Sequence, residues 1–299
     1  MKRKVFSGYI ITVAITIGIY VILAISLNII TGYAGQISLG HAAFWGIGAY
    51  CSALLSTRLG LPFWAGLPLT IAITALIGSL LAIPCLRVRE DFLAITTIGI
   101  NFVVQAVFLY VPFFGGAMGI GGIRSPFGIS SFFWITLIFV LLCIALDRWL
   151  VRSWIGLALE SLREDETAAA VSGIDVVKFK VAAFAIGSGL TGLAGHLYAH
   201  FMTFISADDF GFPQSILIIS MIVFGGIGTL RGAILGAVIL AVAPEIFRPI
   251  LDYRILIYGA LLIFMMRFQP GGILGDQSLV PRIFKAVHQK GLTLMRTGG

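Results

Sequence analysis

The chain has 299 residues, of which 59% are hydrophobic and 11% charged, and its mean hydropathy is +1.04. A soluble domain carries about 25% charged residues, so this composition cannot cover a water-exposed surface and excludes a soluble enzyme. The net charge of +7 would suit nucleic acid, but fifteen of the twenty Lys and Arg fall within 2–4, 87–89, 148–180, at Arg267 and in 282–296. Such clustering is the positive-inside pattern of a polytopic membrane protein, and no nucleic-acid partner is expected.

A bilayer crossing needs about 20 mostly apolar residues. In chain order, apolar runs occupy 9–30, 62–83, 92–114, 132–146 and 179–201. Shorter ones at 216–227, 233–243 and 255–268 are interrupted by "GGIGTLRG" and "APEIFRP". The reading is an all-α membrane domain spanning 1–299, with about eight crossings (up to ten), a cytoplasmic loop at 151–177 and a cytoplasmic tail at 270–299. The first run reads as a retained helix with its basic end in the cytoplasm. If 2–4 and 87–89 are both inside, an even number of crossings separates them. The segment 32–57 would then be re-entrant. The stretch 216–243 is either two short crossings or a re-entrant hairpin. Both termini come out cytoplasmic.

The segment "GYAGQISLGHAAFWGIGAY" (32–50) places five glycines beside Gln36, Ser38 and His41 in an apolar setting. Irregular backbone at membrane depth is tolerated only where it is buried in protein or lines a cavity. Glycine-broken helices at matching places in two halves point to a transport path. The candidates are Gly35, Gln36, Ser38, Gly40 and His41 in the first segment and Gly225, Gly226 and Gly228 in the second. Ser38 would cap a half-helix starting near Leu39, and His41 would bond neighbouring backbone or contact substrate. The competing reading is close helix packing, which is also expected of Ala185/Gly189, Ser188/Gly192 and Gly232/Gly236 at small-xxx-small spacing.

Several chemistries are missing. There is no G-x-x-x-x-G-K-[ST] phosphate loop, and "GGIGTLRG" fails the dinucleotide fingerprint because Arg231 stands where a glycine is needed. His196 and His200 share a helix face, but with no third ligand they read as interfacial residues, and no metal or catalytic residue is assigned. Carboxylates in the spans are limited to Asp147 and Glu245, both near run ends, so proton or sodium coupling lacks its usual groups.

The longest polar segment, 151–180, reads as a short surface helix over 155–171, followed by a left-handed stop at Gly173 and an N-cap at Asp175 for the next span. It is either a solvated connection or a docking helix that carries force from a soluble partner.

Within it, "ALESLREDETAAAVSGIDVVKFKVAAFAIGSGLTGLAGHLYA" resembles the cytoplasmic loop and following helix of permease subunits of branched-chain amino-acid ABC importers, the LivM/LivH family, with the LivM-like subunit the closer match. "GYAGQISLGHAAFWGIGAY", "LRVREDFLAITTIGI", "GGAMGIGGI" and "FGGIGTLRGAILGAVIL" fit further blocks of that family in order. Two features depart from its pattern: Gly173 follows Glu166 at seven positions rather than six, and Glu90 stands where a glycine is common.

The resemblance implies a bacterial inner-membrane importer. Its parts would be a second, LivH-like permease, two cytoplasmic ABC ATPases using ATP and Mg, and an extracytoplasmic substrate-binding protein. This chain would bind no cofactor itself. Glu164, Asp165, Glu166, Ala168, Ala169 and Gly173 would form the ATPase coupling site, and the cargo would be branched-chain or related amino acids. The alternatives are the same machine carrying urea, short amides or other amino acids, a stand-alone carrier or channel, and a membrane scaffold.

Overall fold

The computed structural model describes residues 2–85 and 90–246, together with 256, 259, 260, 263, 264, 267 and 272–274. Most of the last apolar run and most of the tail lie outside the described residues. Ten α-helices follow in order: α1 (Lys2–Leu27), α2 (His41–Thr57), α3 (Phe63–Cys85), α4 (Glu90–Tyr110), α5 (Ile129–Arg152), α6 (Trp154–Glu164), α7 (Glu166–Val171), α8 (Val176–Met202), α9 (Phe212–Gly225) and α10 (Leu230–Ile246). One two-residue ribbon pairs β1 (Ile120–Gly121) antiparallel with β2 (Phe204–Ile205). Among the described residues, six segments are long and apolar enough to cross a membrane: Gly8–Tyr33, Phe63–Cys85, Phe92–Tyr110, Ile129–Arg152, Val176–Met202 and Ala207–Gly225. The protein is thus an all-α polytopic membrane protein. The helices α2 and α10 have 17 residues each.

Side-chain contacts fix the direction of each helix. A Cβ on Gly18 would press on Thr136 and Val140, while the Tyr33 hydroxyl bonds the Asp147 carboxylate at 3.0 Å. Helices α1 and α5 therefore run the same way. Phe132 stacks near Phe201 at 5.5 Å, so α8 runs against α5. Ser26 and Ile30 of α1 meet Thr191 and Gly187 of α8 in reverse order, which gives the same result. The α6–α7 loop follows α5, so it lies at the end of the bundle opposite Lys2. The expectation that the N-terminal lysines share a side with this loop is thereby corrected: three basic residues at the chain start were outweighed by the packing of α1.

The same register corrects the re-entrant reading of 32–57. Gly40 abuts Thr97, whereas Tyr50 stacks on Phe108 at 4.0 Å, so α2 runs parallel to α4. Starting from the loop end, the chain rises through the non-helical 34–40 and continues through α2 toward the far end, without turning back. The 216–243 stretch resolves as an antiparallel hairpin of α9 and α10, in which Gly225 faces Gly232 and Gly236 faces the Met221 carbonyl.

The core is built from α1, α2, α8 and α9. Helix α2 is buried around its circumference, with Phe44, Trp45 and Tyr50 at 2% exposure or less. Without a hydrophobic drive between helices in lipid, close approach through small residues supplies the attraction. Here Gly48 lies on the Gly192 backbone, Gly195 on Trp45 and Ala49, and Gly78 on Ser188. The small face of α8 predicted from sequence thus holds α2 on one side and α3 on the other. By contrast, α3, α4 and α5 expose large apolar side chains such as Leu76, Ile95, Val103, Ile138 and Leu141, as helices facing lipid or another membrane subunit do.

Candidate functional site

Helix α1 does not end cleanly. Its last turn, Asn28–Tyr33, widens to a π-helix, a feature that often marks functional positions. The Asn28 Oδ1 accepts the Gly228 amide at 2.9 Å. A Cβ at Gly32 would collide with Asn28 and crowd that same amide. The widened turn thus ties the end of α1 to the α9–α10 turn. There Gly226 and Gly228 hold φ of 130° and 79°, conformations open mainly to glycine.

The chain then turns through Gly35, at φ 70°, and runs outside any helix to Gly40. Gly35 is exposed, Gln36 and Ser38 are buried, and Ile37 is 53% exposed. The helix α2 begins at His41 with Gly40 as N-cap and no capping side chain of its own. Contrary to the expectation from sequence, Ser38 does not cap it; its hydroxyl has no partner among the described residues. Caps come instead from distant helices: Ser215 Oγ of α9 accepts the Ala42 amide at 3.0 Å, and Thr97 Oγ1 of α4 accepts the Leu39 amide at 3.0 Å. Asn101 Oδ1 takes the Ser215 hydroxyl at 3.1 Å, and its Nδ2 reaches the Phe210 carbonyl at 3.4 Å.

The helix α9 has the same design in the opposite sense. From the ribbon at the far end, residues 203–211 descend largely outside α-helix, and α9 then runs toward the loop end. Two interrupted passages therefore enter from opposite ends, and their helices start side by side within the bundle. The sequence reading put the second interruption at Gly225–Gly236; the chain does break there, in the 226–229 turn between α9 and α10, and a further stretch outside α-helix, 203–211, precedes α9. Gly225, Gly226 and Gly228 form the turn and close contact that join α9 to α10.

Thr97, Asn101 and Gln105 lie four residues apart on one face of α4 and escaped the sequence reading, as did Ser215. The polar stripe in 92–114 was the available signal. Its edge is open: Phe102 is 53% exposed, and its ring is 5.8 Å from that of Phe212. His41 is fully buried, with Nε2 2.8 Å from Ser26 Oγ and 3.0 Å from Thr191 Oγ1. It bonds side chains of α1 and α8. His196 and His200 are held separately, by Ser52 Oγ at 2.8 Å and the Arg124 carbonyl at 2.7 Å.

Gly40 serves packing: a Cβ there would strike the Thr97 carbonyl. We expect Gly40→Leu, and Gly40→Ala to a lesser degree, to lower the melting temperature of the purified protein. An overpacked core loses about 1–3 kcal/mol. A Gly40→Leu protein of unchanged melting temperature and blocked transport would return Gly40 to the path.

The polar loop is two helices, not the single one expected over 155–171. Asp165 breaks it with an extended backbone (φ −158°, ψ 109°) and caps α7 by accepting the Thr167 and Ala168 amides at 2.8 and 3.0 Å. The Thr167 hydroxyl, foremost, and the Ala168 amide hold the Asp165 carboxyl below its usual range. A depressed carboxylate contributes fully above its ordinary value of about 4 and is lost only on further acidification, so this cap stays charged at neutral pH. Gly173 has φ 89° and Asp175 caps α8 through the Lys178 amide at 3.1 Å, both as the sequence predicts.

This loop touches the broken segment directly. Glu166 pairs with Lys180 and accepts the Gln36 amide group at 3.5 Å. Ala34 packs in one cluster with Leu159, Leu162, Ala169 and Ala183. The stem of Arg163 lies along Gly35, and its guanidinium lies against Gly228. Ala169, assigned from sequence to contact a partner, is 4% exposed and faces its own chain. Glu164, Asp165, Ala168 and Gly173 are exposed, Glu166 is partly so, and Val171 is 90% exposed.

With this geometry in place, comparison with known proteins is informative. The family described as "Branched-chain amino acid transport system / permease component" matches residues 9–266. The chain belongs to this family. It is 36% identical to the high-affinity branched-chain amino acid transport system permease protein LivM of Salmonella typhimurium over 287 residues, covering 86% of this chain and 68% of the relative. The LivM of Escherichia coli is 35% identical over the same shares. The permease protein LivH of Escherichia coli is 26% identical over 91% of this chain and 95% of its own length. No solved structure matches. The protein is a transport component, and its permease fold places a polar loop of two short helices against both glycine turns.

Proposed function

We propose that this permease forms one half of the membrane pathway of an ATP-driven importer for branched-chain amino acids, in the bacterial inner membrane. A second, LivH-like permease supplies the other half. Two cytoplasmic ATPases, using ATP and Mg, drive it, and an extracytoplasmic binding protein delivers cargo. The observation that carries this reading is the meeting of two interrupted passages, joined by Ala42 N to Ser215 Oγ at 3.0 Å, with the approach to one of them seated on the polar loop. Half-helix starts at membrane depth point their amides at anionic substrate groups such as a carboxylate. The path then runs along Ile37, the Thr97–Asn101–Gln105 stripe and the start of α9, on the face turned to the second permease. The α6–α7 loop faces the cytoplasm, and the N-terminal end of α1 faces the other side.

The test is reconstitution of both permeases, both ATPases and the binding protein in vesicles. ATP-dependent leucine uptake is the expected result. Uptake of urea but not leucine would reassign the cargo, and transport by the chain without ATPases would make it a stand-alone carrier.

Val171 offers an apolar contact to the ATPase. The change Val171→Glu should weaken ATPase retention on the purified permease pair by at least about fivefold, the scale of a central interface residue, while leaving the permeases paired. Retention equal to wild type would place the contact elsewhere on the loop.

A further inference from the structure

A cavity of about 500 Å³ opens at the loop end, between the last turns of α5 and the first turn of α10. Arg148, Arg152 and Arg231 surround it, with Thr229 beside them and Val151 and Leu230 forming an apolar rim. All three arginines are exposed. Among the described residues none of them has an ion pair or a hydrogen bond, so their donors are available. Asp147 lies in the wall, 1% exposed; its Oδ2 accepts the Tyr33 hydroxyl, while its Oδ1 has no partner among the described residues.

The surroundings are those of a membrane interface. Trp149 and Trp154, close in sequence to the lining residues Arg148 and Arg152, are 66% and 70% exposed, as aromatic residues at headgroup level are. Along α5, Ile138, Leu141 and Leu142 form an exposed apolar wall leading down to the arginines. A soluble anion has no use for such a wall; an acyl chain does.

We propose that this cavity binds the headgroup of an anionic phospholipid of the phosphoglycerol type. Arg148, Arg152 and Arg231 hold the phosphate through charge-assisted hydrogen bonds. A phosphoglycerol headgroup adds no cation beside the three arginines, whereas a choline headgroup does, and the acyl chains lie along α5. The lipid would bridge α5 and α10 beside Gly228, the same turn on which Arg163 rests. This inference stands on the cavity alone and does not depend on the cargo.

Native mass spectrometry of the complete permease pair, released from nanodiscs of mixed phosphatidylglycerol and phosphatidylcholine, tests it. Phosphatidylglycerol should be retained over phosphatidylcholine by at least about tenfold, given the attraction of a basic cluster for anionic lipid. The double variant Arg148→Gln/Arg231→Gln should lose that preference, and Lys178→Gln/Arg124→Gln, of equal charge change, should keep it. Equal retention of the two lipids by the wild-type pair overturns the proposal without any variant. So does a preference unchanged in the Arg148→Gln/Arg231→Gln pair. Displacement of the lipid by millimolar glycerol phosphate alone would mean a soluble phosphate site and equally refute a lipid site.

Discussion

Replacing Arg163 with alanine should leave the permease folded and paired, yet reduce substrate-stimulated ATP hydrolysis in the complete importer by about tenfold, the scale of a typical coupling free energy. Arg163 is in α6, the helix expected to receive force from the ATPase. Its stem lies on Gly35, at the start of the non-helical passage into α2, and its guanidinium lies on Gly228, in the turn that ends α9. One side chain thus touches both interrupted passages from the loop side. Movement of α6 pulls on them together, whereas without Arg163 the two glycine turns lose their common contact. Long side chains bury stems as well as charges, so Arg163→Lys, which keeps a stem and a charge but not the planar fork, should recover part of the coupling. The measurement is ATPase rate with and without loaded binding protein, beside basal rate and assembly. Wild-type stimulation in Arg163→Ala would assign coupling to the Glu166–Lys180 pair and the Ala169 cluster instead.

How much of this was legible in the sequence depends on the distance over which each feature is encoded. Local signals were sound. Gly173 and Asp175 fulfil their predicted stop and cap because both depend on a few neighbouring residues. The small face of α8 was visible from spacing alone. What failed was non-local. The cap of α2 comes from Ser215, 173 residues away, and no window of sequence pairs Ser38's neighbourhood with α9. The sequence assigned the second interruption to Gly225–Gly236 because glycines stand out. A further break at 203–211 is made by a mixed stretch, "TFISADDFG", that reads as an ordinary loop. The N-terminal lysines were put at the same end as the α6–α7 loop because the charge rule weighs loops, while the direction of α1, set by Gly18, Tyr33 and Ser26 against α5 and α8, puts them at opposite ends of the bundle. The break at Asp165 was hidden by good helix formers on both sides, although an aspartate that accepts two amides is favoured as a cap over a helix interior.

Asn101→Leu should abolish measurable uptake, and Ser215→Ala should reduce it by about tenfold, with assembly and basal ATP hydrolysis retained in both. Asn101 is fully buried and joins α4 to both interrupted passages: its carbonyl oxygen takes the Ser215 hydroxyl, and its amide reaches the Phe210 carbonyl. Leucine fills a similar volume but leaves those two groups without partners. Each unsatisfied buried group costs about 1–3 kcal/mol. The starts of α2 and α9 would then drift apart or draw water, and the donors that should face a substrate carboxylate would lose their alignment. Ser215→Ala removes the cap on Ala42, about 1 kcal/mol, and the hydroxyl that Asn101 Oδ1 accepts, but Asn101 keeps the Phe210 carbonyl, so the smaller effect follows. A purely structural role would lower melting temperature and yield in step with uptake. A path role lowers uptake at unchanged melting temperature, and Asn101→Gln, which keeps an amide at this position, should restore part of it. Uptake that follows stability through all three variants would make the polar junction a staple between helices, and the path would then run along another face of the bundle.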